Sequence, residues 1–331
     1  MKKRVVSLLL AILAVVGLIQ PVLAASIDEF FDAGAGEVQD EIPAEPAEEL
    51  PAEVPEAEAE EEIAAVILLD GEPAPAIEHE MRGGVCYVTV SSFVSALDAE
   101  AMVEEANGAI SVNASTVTQV MAVDTDGDGI EDAANVETAD LTLLAVSGSS
   151  YFTANGRFLY AGDGIMLLNG RVAAPVRSLA QVFNLTVDYD AAAGQVLLAH
   201  QEGAEPYLTS GQYVYDSETA VWLARIIHAE SGNQSLEGKI AVGNVVMNRV
   251  NNPQFPDTLY EVLFQKNQFS PASSGSIYKE PNWESKVAAM LVLEGVQVVP
   301  EALFFNAAGA RSYAYKHRSY VTTIGDHDFY R

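Results

Sequence analysis

One carboxylate stands apart by position. In the run from Ser217 to Val250 the apolar residues Val221, Leu223, Ala224, Ile227 and Ala229 recur near a 3.6-residue period, and Glu230 falls on or beside the same face. A carboxyl held against apolar neighbours loses hydration, which disfavours its charged form and raises its pKa. That is what a general acid working near neutral pH needs. A second carboxylate, Glu237, lies in the first turn of the next helix, where the dipole favours an acid in any case. His228, Glu230, His317 and His327 are the conceivable ligands for a metal-dependent amidase or peptidase, but His228 and Glu230 are next-but-one neighbours and point in different directions on a helix. No GxSxG elbow supplies a nucleophilic serine. The single cysteine, Cys86, excludes an intrachain disulfide and reads as buried packing in an apolar strand.

The elements that must position Glu230 are helices. Asp216 or Ser217 can cap the first, and Gly232 and Asn233 end it. Ser235 caps a second, with Ile240, Ala241, Val245, Val246 and Val250 turned inward. Gly238 and Gly243 cost about 1 kcal/mol each against Ala within it, so close packing against a backbone or ligand is expected there. A third helix is expected to start at Phe255-Pro256-Asp257 with Leu259, Val262 and Leu263 inward. Asn282 caps a fourth, from Trp283 to Leu293, with a stripe of Val287, Met290, Leu291 and Leu293. After Gly295 the chain turns to short strands, so the region is α+β.

The blocks HAESGNQSLEGKIAVGNVVMNRV, PQFPDTLYEVLFQKNQFS, ALFFN and IGDHDFY, in this order and spacing over residues 217–331, resemble the SleB/CwlJ-type cell-wall hydrolases, the spore cortex-lytic enzymes. The resemblance implies a lysozyme-related catalytic domain that cuts the glycan of peptidoglycan, typically as a lytic transglycosylase, with Glu230 as the catalytic acid. The matching blocks also offer Asn248, Gln268, Ser270, Asn306 and His327, together with Glu237, as substrate contacts. The loop 265–282, with Gln268, Phe269, Ser270 and Tyr278, reads as the rim of a sugar cleft or as plain surface. Gln234 stands where many similar sequences carry a second Glu and others share the glutamine, which bears only on a supporting role, and Asp326 and Asp328 stand where they often carry Gly or Asn.

Glycan cleavage that releases water-derived products needs a second carboxylate about 5–9.5 Å from the acid. Without one, Glu230 can act as acid and then base while the muramyl C6 hydroxyl attacks, giving a 1,6-anhydro sugar. An amidase and a non-catalytic wall-binding protein remain as alternatives. No cofactor is expected for catalysis.

The rest of the chain sets the context. Lys2, Lys3 and Arg4, the apolar run Val5–Ile19 and the small-residue site Val22-Leu23-Ala24 make residues 1–25 a secretion signal, too short for a membrane span, so no integral membrane domain is expected after cleavage. Residues 26–64 are an acidic, Pro-rich spacer; its Asp and Glu, unopposed by Lys or Arg, supply half of the net charge of −30. The region 217–331 is by contrast near neutral, which suits a substrate bearing carboxylates, and no basic stripe interleaved with aromatics suggests nucleic acid. The expectation is a secreted, monomeric protein acting on peptidoglycan in the cell wall or the spore.

Residues 65–205 contain an internal repeat: Val85–Val112 aligns with Arg171–Leu198, each copy reading as strand, short helix and hairpin. The second copy resembles the copper amine oxidase N-terminal-like domain, which implies a stalk or wall-binding unit. No Cys/His cluster there has the spacing of a copper centre. Between the copies, VDTDGDGIED places Asp124, Asp126, Asp128 and Asp132 as in a calcium loop, which gives a structural calcium site or else an Asx-rich turn. The expected fold class is thus α+β throughout, a two-repeat stalk followed by a mainly helical catalytic domain.

Overall fold

The computed structural model describes residue 31 and residues 65–123 and 133–331. The expected signal, the spacer apart from Phe31, and the Asp124–Asp132 loop lie outside the described residues.

The repeat is visible in three dimensions. The stalk opens with β1 (Val66–Leu69), β2 (Glu72–Pro73) and β3 (His79–Arg82). The first copy is then β4 (Val85–Thr89), α1 (Val90–Leu97), β5 (Met102–Ala106) and β6 (Ala109–Val123). After β7 (Ala133–Val146), β8 (Tyr151–Ala154), β9 (Arg157–Tyr160) and β10 (Met166–Leu168) comes the second: β11 (Arg171–Pro175), α2 (Val176–Val182), β12 (Leu185–Asp190) and β13 (Gln195–His200). The two leading strands pair antiparallel at the centre of a sheet ordered β10-β11-β4-β3, with Val88 opposite Ala174. Alternate residues point to one side of a strand, so both copies send apolar side chains into one core: Val88, Phe93, Ile110 and Val112 from the first, Ala174, Leu179, Val196 and Leu198 from the second. Burying each large side chain contributes about 1.5–3 kcal/mol. The copies differ in their hairpins, since β6 and β7 run on for 15 and 14 residues.

The C-terminal region holds α3 (Ser217–Ser231), α4 (Leu236–Val250), α5 (Leu259–Phe264), α6 (Ser270–Ser274), α7 (Trp283–Leu293), β14 (Phe304–Ala307), α8 (Tyr313–His317), β15 (Tyr320–Ile324) and β16 (His327–Tyr330). Asp216 caps α3 through the Thr219 amide, Ser235 caps α4 through Gly238, and Asn282 caps α7 through Ser285, each meeting one of the exposed amides of a first turn. The third helix corrects the sequence reading. It begins at Leu259 rather than at Pro256, because Thr258 supplies the cap by accepting from the Glu261 amide. Gly243 is packed as expected: a Cβ there would come 2.9 Å from both Ile227 of α3 and Val292 of α7.

Helix α7 is not striped. Every residue from Ser285 to Val292 is buried, because α3 and α4 cover one side and β9 of the stalk covers another. Phe158 of β9 belongs to the helical core, and Arg157 makes a two-point ion pair with Glu294 at 2.8 and 2.6 Å. The Tyr215 hydroxyl donates to the same carboxylate, and the segment between the regions is tied back to the stalk by Gly211 N to Asn155 O at 2.9 Å and by Asn155 Nδ2 to Leu208 O at 3.0 Å. The stalk is therefore packed against the helices rather than held off by a free linker. The terminal sheet, ordered β14-β16-β15, packs Phe329 against Ala241, Val242 and Val245 on the far side of α4.

Candidate active site

Glu230 occupies the last turn of α3, half-buried beside the core residues Ile226 and Ile227. Burial lifts its carboxyl from 4.5 to about 7, and the nearby Arg249 cation pulls the other way. No hydrogen bond or ion pair is made by the Glu230 side chain to any described residue. Among the described residues no carboxylate is one of the charges that act on it. At neutral pH the group is therefore divided between its protonated and charged forms, poised to give a proton up and to take one back.

Arg249 is the partner that sequence reasoning missed. It projects from the inner face of α4 and is only 4% exposed. Burial lowers its pKa to about 10, and Glu230 opposes that shift. Its Nε donates to Leu303 O at 2.7 Å and one Nη to Gln268 Oε1 at 3.2 Å. The rings of Phe255, Phe269 and Phe304 stand 4.9–5.3 Å from the guanidinium carbon, a cation–π cage. The signal was available: position 249 continues the inward α4 positions 242, 245 and 246, so a cation there had to be buried.

The remaining expected contacts divide. Gln268 touches Arg249, and neighbouring Phe269 leads through Phe305, at 6.5 Å, to His327, whose ring meets Phe305 edge-on at 5.3 Å. Among the described residues Nδ1 of His327 is buried with no hydrogen-bond partner, and burial pushes its pKa down, which favours the neutral ring. Gln268 and His327 thus belong to one wall that reaches Arg249. Asn248 does not stand free to meet a sugar, because its amide donates to Val299 O and Ala302 O at 3.1 and 3.0 Å and pins the turn ahead of β14. Asn306 accepts from the Ser312 hydroxyl and donates to Ala307 O at 3.2 Å. Ser270 starts α6 and is exposed. Glu237 is exposed, and its charge, after burial, helps push up the Tyr160 phenol of the stalk.

The other two acids near the terminus are engaged. Asp328 accepts from the Thr323 hydroxyl at 2.6 Å and the Gly309 amide at 2.8 Å, which hold its pKa below the usual range. Asp326 is bound to Gln234. The candidate metal ligands do not converge: His228 Nδ1 accepts from the Asn282 amide at 3.4 Å, His317 stacks on Tyr313 at 4.4 Å, and among the described residues no three His, Cys, Asp or Glu side chains are grouped to hold an ion.

Comparison with known proteins agrees with both resemblances read from the sequence. Residues 233–330 match the family described as Cell Wall Hydrolase, a match that begins just past Glu230, and residues 90–198 match the Copper amine oxidase N-terminal domain. A spore cortex-lytic enzyme of Bacillus subtilis is 32% identical over 108 residues, 32% of this chain and 35% of that protein. One from Oceanobacillus iheyensis is 31% identical over 116 residues, 35% of this chain and 42% of that protein. The chain thus spans less than half the length of these relatives. The solved catalytic domain of the germination-specific lytic transglycosylase SleB from Bacillus anthracis aligns at 28% identity over 38% of this chain and all of that one, with a TM-score of 0.34.

Proposed function

We propose that this chain cleaves the glycan strand of peptidoglycan as a lytic transglycosylase, with Glu230 as its single acid and base. The observation that carries the reading is a carboxyl lifted to about 7 by burial, with a cation and, among the described residues, no second carboxylate acting on it. Protonated Glu230 gives its proton to the glycosidic oxygen as the bond from the muramyl C1 to that oxygen breaks. The C6 hydroxyl oxygen of the same sugar then bonds to C1, and its proton returns to Glu230. The product is a 1,6-anhydro sugar and the carboxyl is regenerated. Arg249 favours the carboxylate that exists between the two transfers, and Gln268 and the aromatic cage fix Arg249.

The match to the Cell Wall Hydrolase family and the names of the relatives support peptidoglycan outside the cytoplasm as the substrate, with spore cortex as its form. No described helix is long and apolar enough to cross a membrane. The reading is tested by clearing of purified cortex and vegetative wall suspensions with the full chain and with Glu230→Gln. Soluble fragments should appear with the parent and fall by several hundredfold in the variant, with cortex cleared faster; equal clearing by the variant would overturn the role of Glu230.

A further inference from the structure

The surface of α3 ahead of Glu230 carries a group of side chains that the proton-transfer chemistry does not use. Trp222 is half-buried, and around it stand Tyr260 at 5.7 Å, Phe264 at 5.5 Å and Tyr278 at 5.9 Å, all edge-on to the indole. The two tyrosines are 52% and 58% exposed, which leaves ring surface and both phenols open to solvent. Arg225 lies over the indole at 5.3 Å. Among the described residues its guanidinium makes no ion pair and no hydrogen bond, and its Nε is a buried donor without an acceptor. Such a cation is costly to hold unless an acceptor reaches the donors that remain exposed.

We infer that Trp222, Arg225, Tyr260 and Tyr278 form a remote subsite for an N-acetylated aminosugar of the glycan strand, and this rests on the glycan-cleaving reading above. Apolar ring faces of the sugar lie on the tyrosines, the phenols meet its hydroxyls, and Arg225 donates to an acetamido carbonyl. Position supports it. Glu230 lies eight positions after Trp222, about 12 Å along α3 and about 80° around it, so a strand held at the shelf reaches the acid more than one sugar away. The shelf and the site also share one segment: the chain runs from Phe264 of the shelf to Gln268 and Phe269 at Arg249, and returns to Tyr278.

The test uses the full chain carrying Glu230→Gln, so that binding is read without cleavage, and a soluble N-acetylglucosamine hexamer as the probe. Calorimetry should show binding, with a change in tryptophan emission. Adding Tyr260→Ala with Tyr278→Ala should weaken it about tenfold, and Arg225→Met should weaken it comparably. Because both tyrosines are more than half exposed, the fold should survive, as circular dichroism will show. Unaltered affinity in both folded variants would overturn the subsite. This readout is independent of catalysis, so loss of the Glu230 mechanism and loss of the subsite are separate results.

Discussion

Gln234 and Asp326 hold each other at two points. The Gln234 amide donates to Asp326 Oδ2 at 3.0 Å, and its carbonyl oxygen accepts the Asp326 backbone N–H at 2.9 Å. This clamps the turn between β15 and β16 onto the start of α4, just past Glu230. Gly325 belongs to the same arrangement: its φ is +53°, and a Cβ there would collide with the Gln234 carbonyl oxygen. Gln234 and Asp326 are therefore one matched pair. A carboxylate at 234 would face the carboxylate at 326.

Gln234→Glu should accordingly destabilise the chain by about 1–2 kcal/mol at pH 7, through a lost donor and a like-charge contact. Asp326→Asn in the same chain should restore most of it, with a coupling of about 0.5–3 kcal/mol in a double-mutant cycle. Urea unfolding of the four proteins reads this directly. Additive effects would mean that the two residues do not act together.

The raised carboxyl sets a pH limit. Glu230 must be protonated to start the reaction, so kcat/KM should hold below about pH 7 and fall about tenfold per unit above it. Arg249 pulls that pKa down, so Arg249→Met should move the alkaline limb to higher pH while lowering the rate at the plateau. A limb that moved to lower pH would contradict the placement of this cation.

The stalk should contribute to the stability of the helical region. Arg157→Ala leaves Glu294, with its side chain 7% exposed, without its cation, at a cost of about 2–3 kcal/mol; the 22% exposure of Arg157 keeps this below the value for a fully buried pair. Thermal unfolding of the parent chain should be a single transition. Two separate transitions in the parent would show that the regions do not share a core.

What could be read in the sequence was local and periodic. The apolar spacing of α3 carried both the helix and the burial of Glu230, and the caps at Ser235 and Asn282 were visible as residue types. The repeat was legible because both copies feed one core. Three features escaped for non-local reasons. Arg249 was passed over because a cation on an apolar face gains most of its partners from residues distant in sequence, Leu303, Gln268, Phe269 and Phe304, beside the nearer Phe255. Asn248 resembled a substrate contact, but its amide is satisfied by a turn that only the tertiary fold brings near. Helix α7 read as striped because nothing local reveals that β9 covers its outer side.

The central claim is that one carboxyl serves as both acid and base, and the chemical form of the product tests it most directly. Mass spectrometry of muropeptides released by the full chain should show glycan ends lighter by one water than reducing ends, the 1,6-anhydro form, absent with Glu230→Gln. Reducing-end products that depend on Glu237 would contradict the single-carboxylate account.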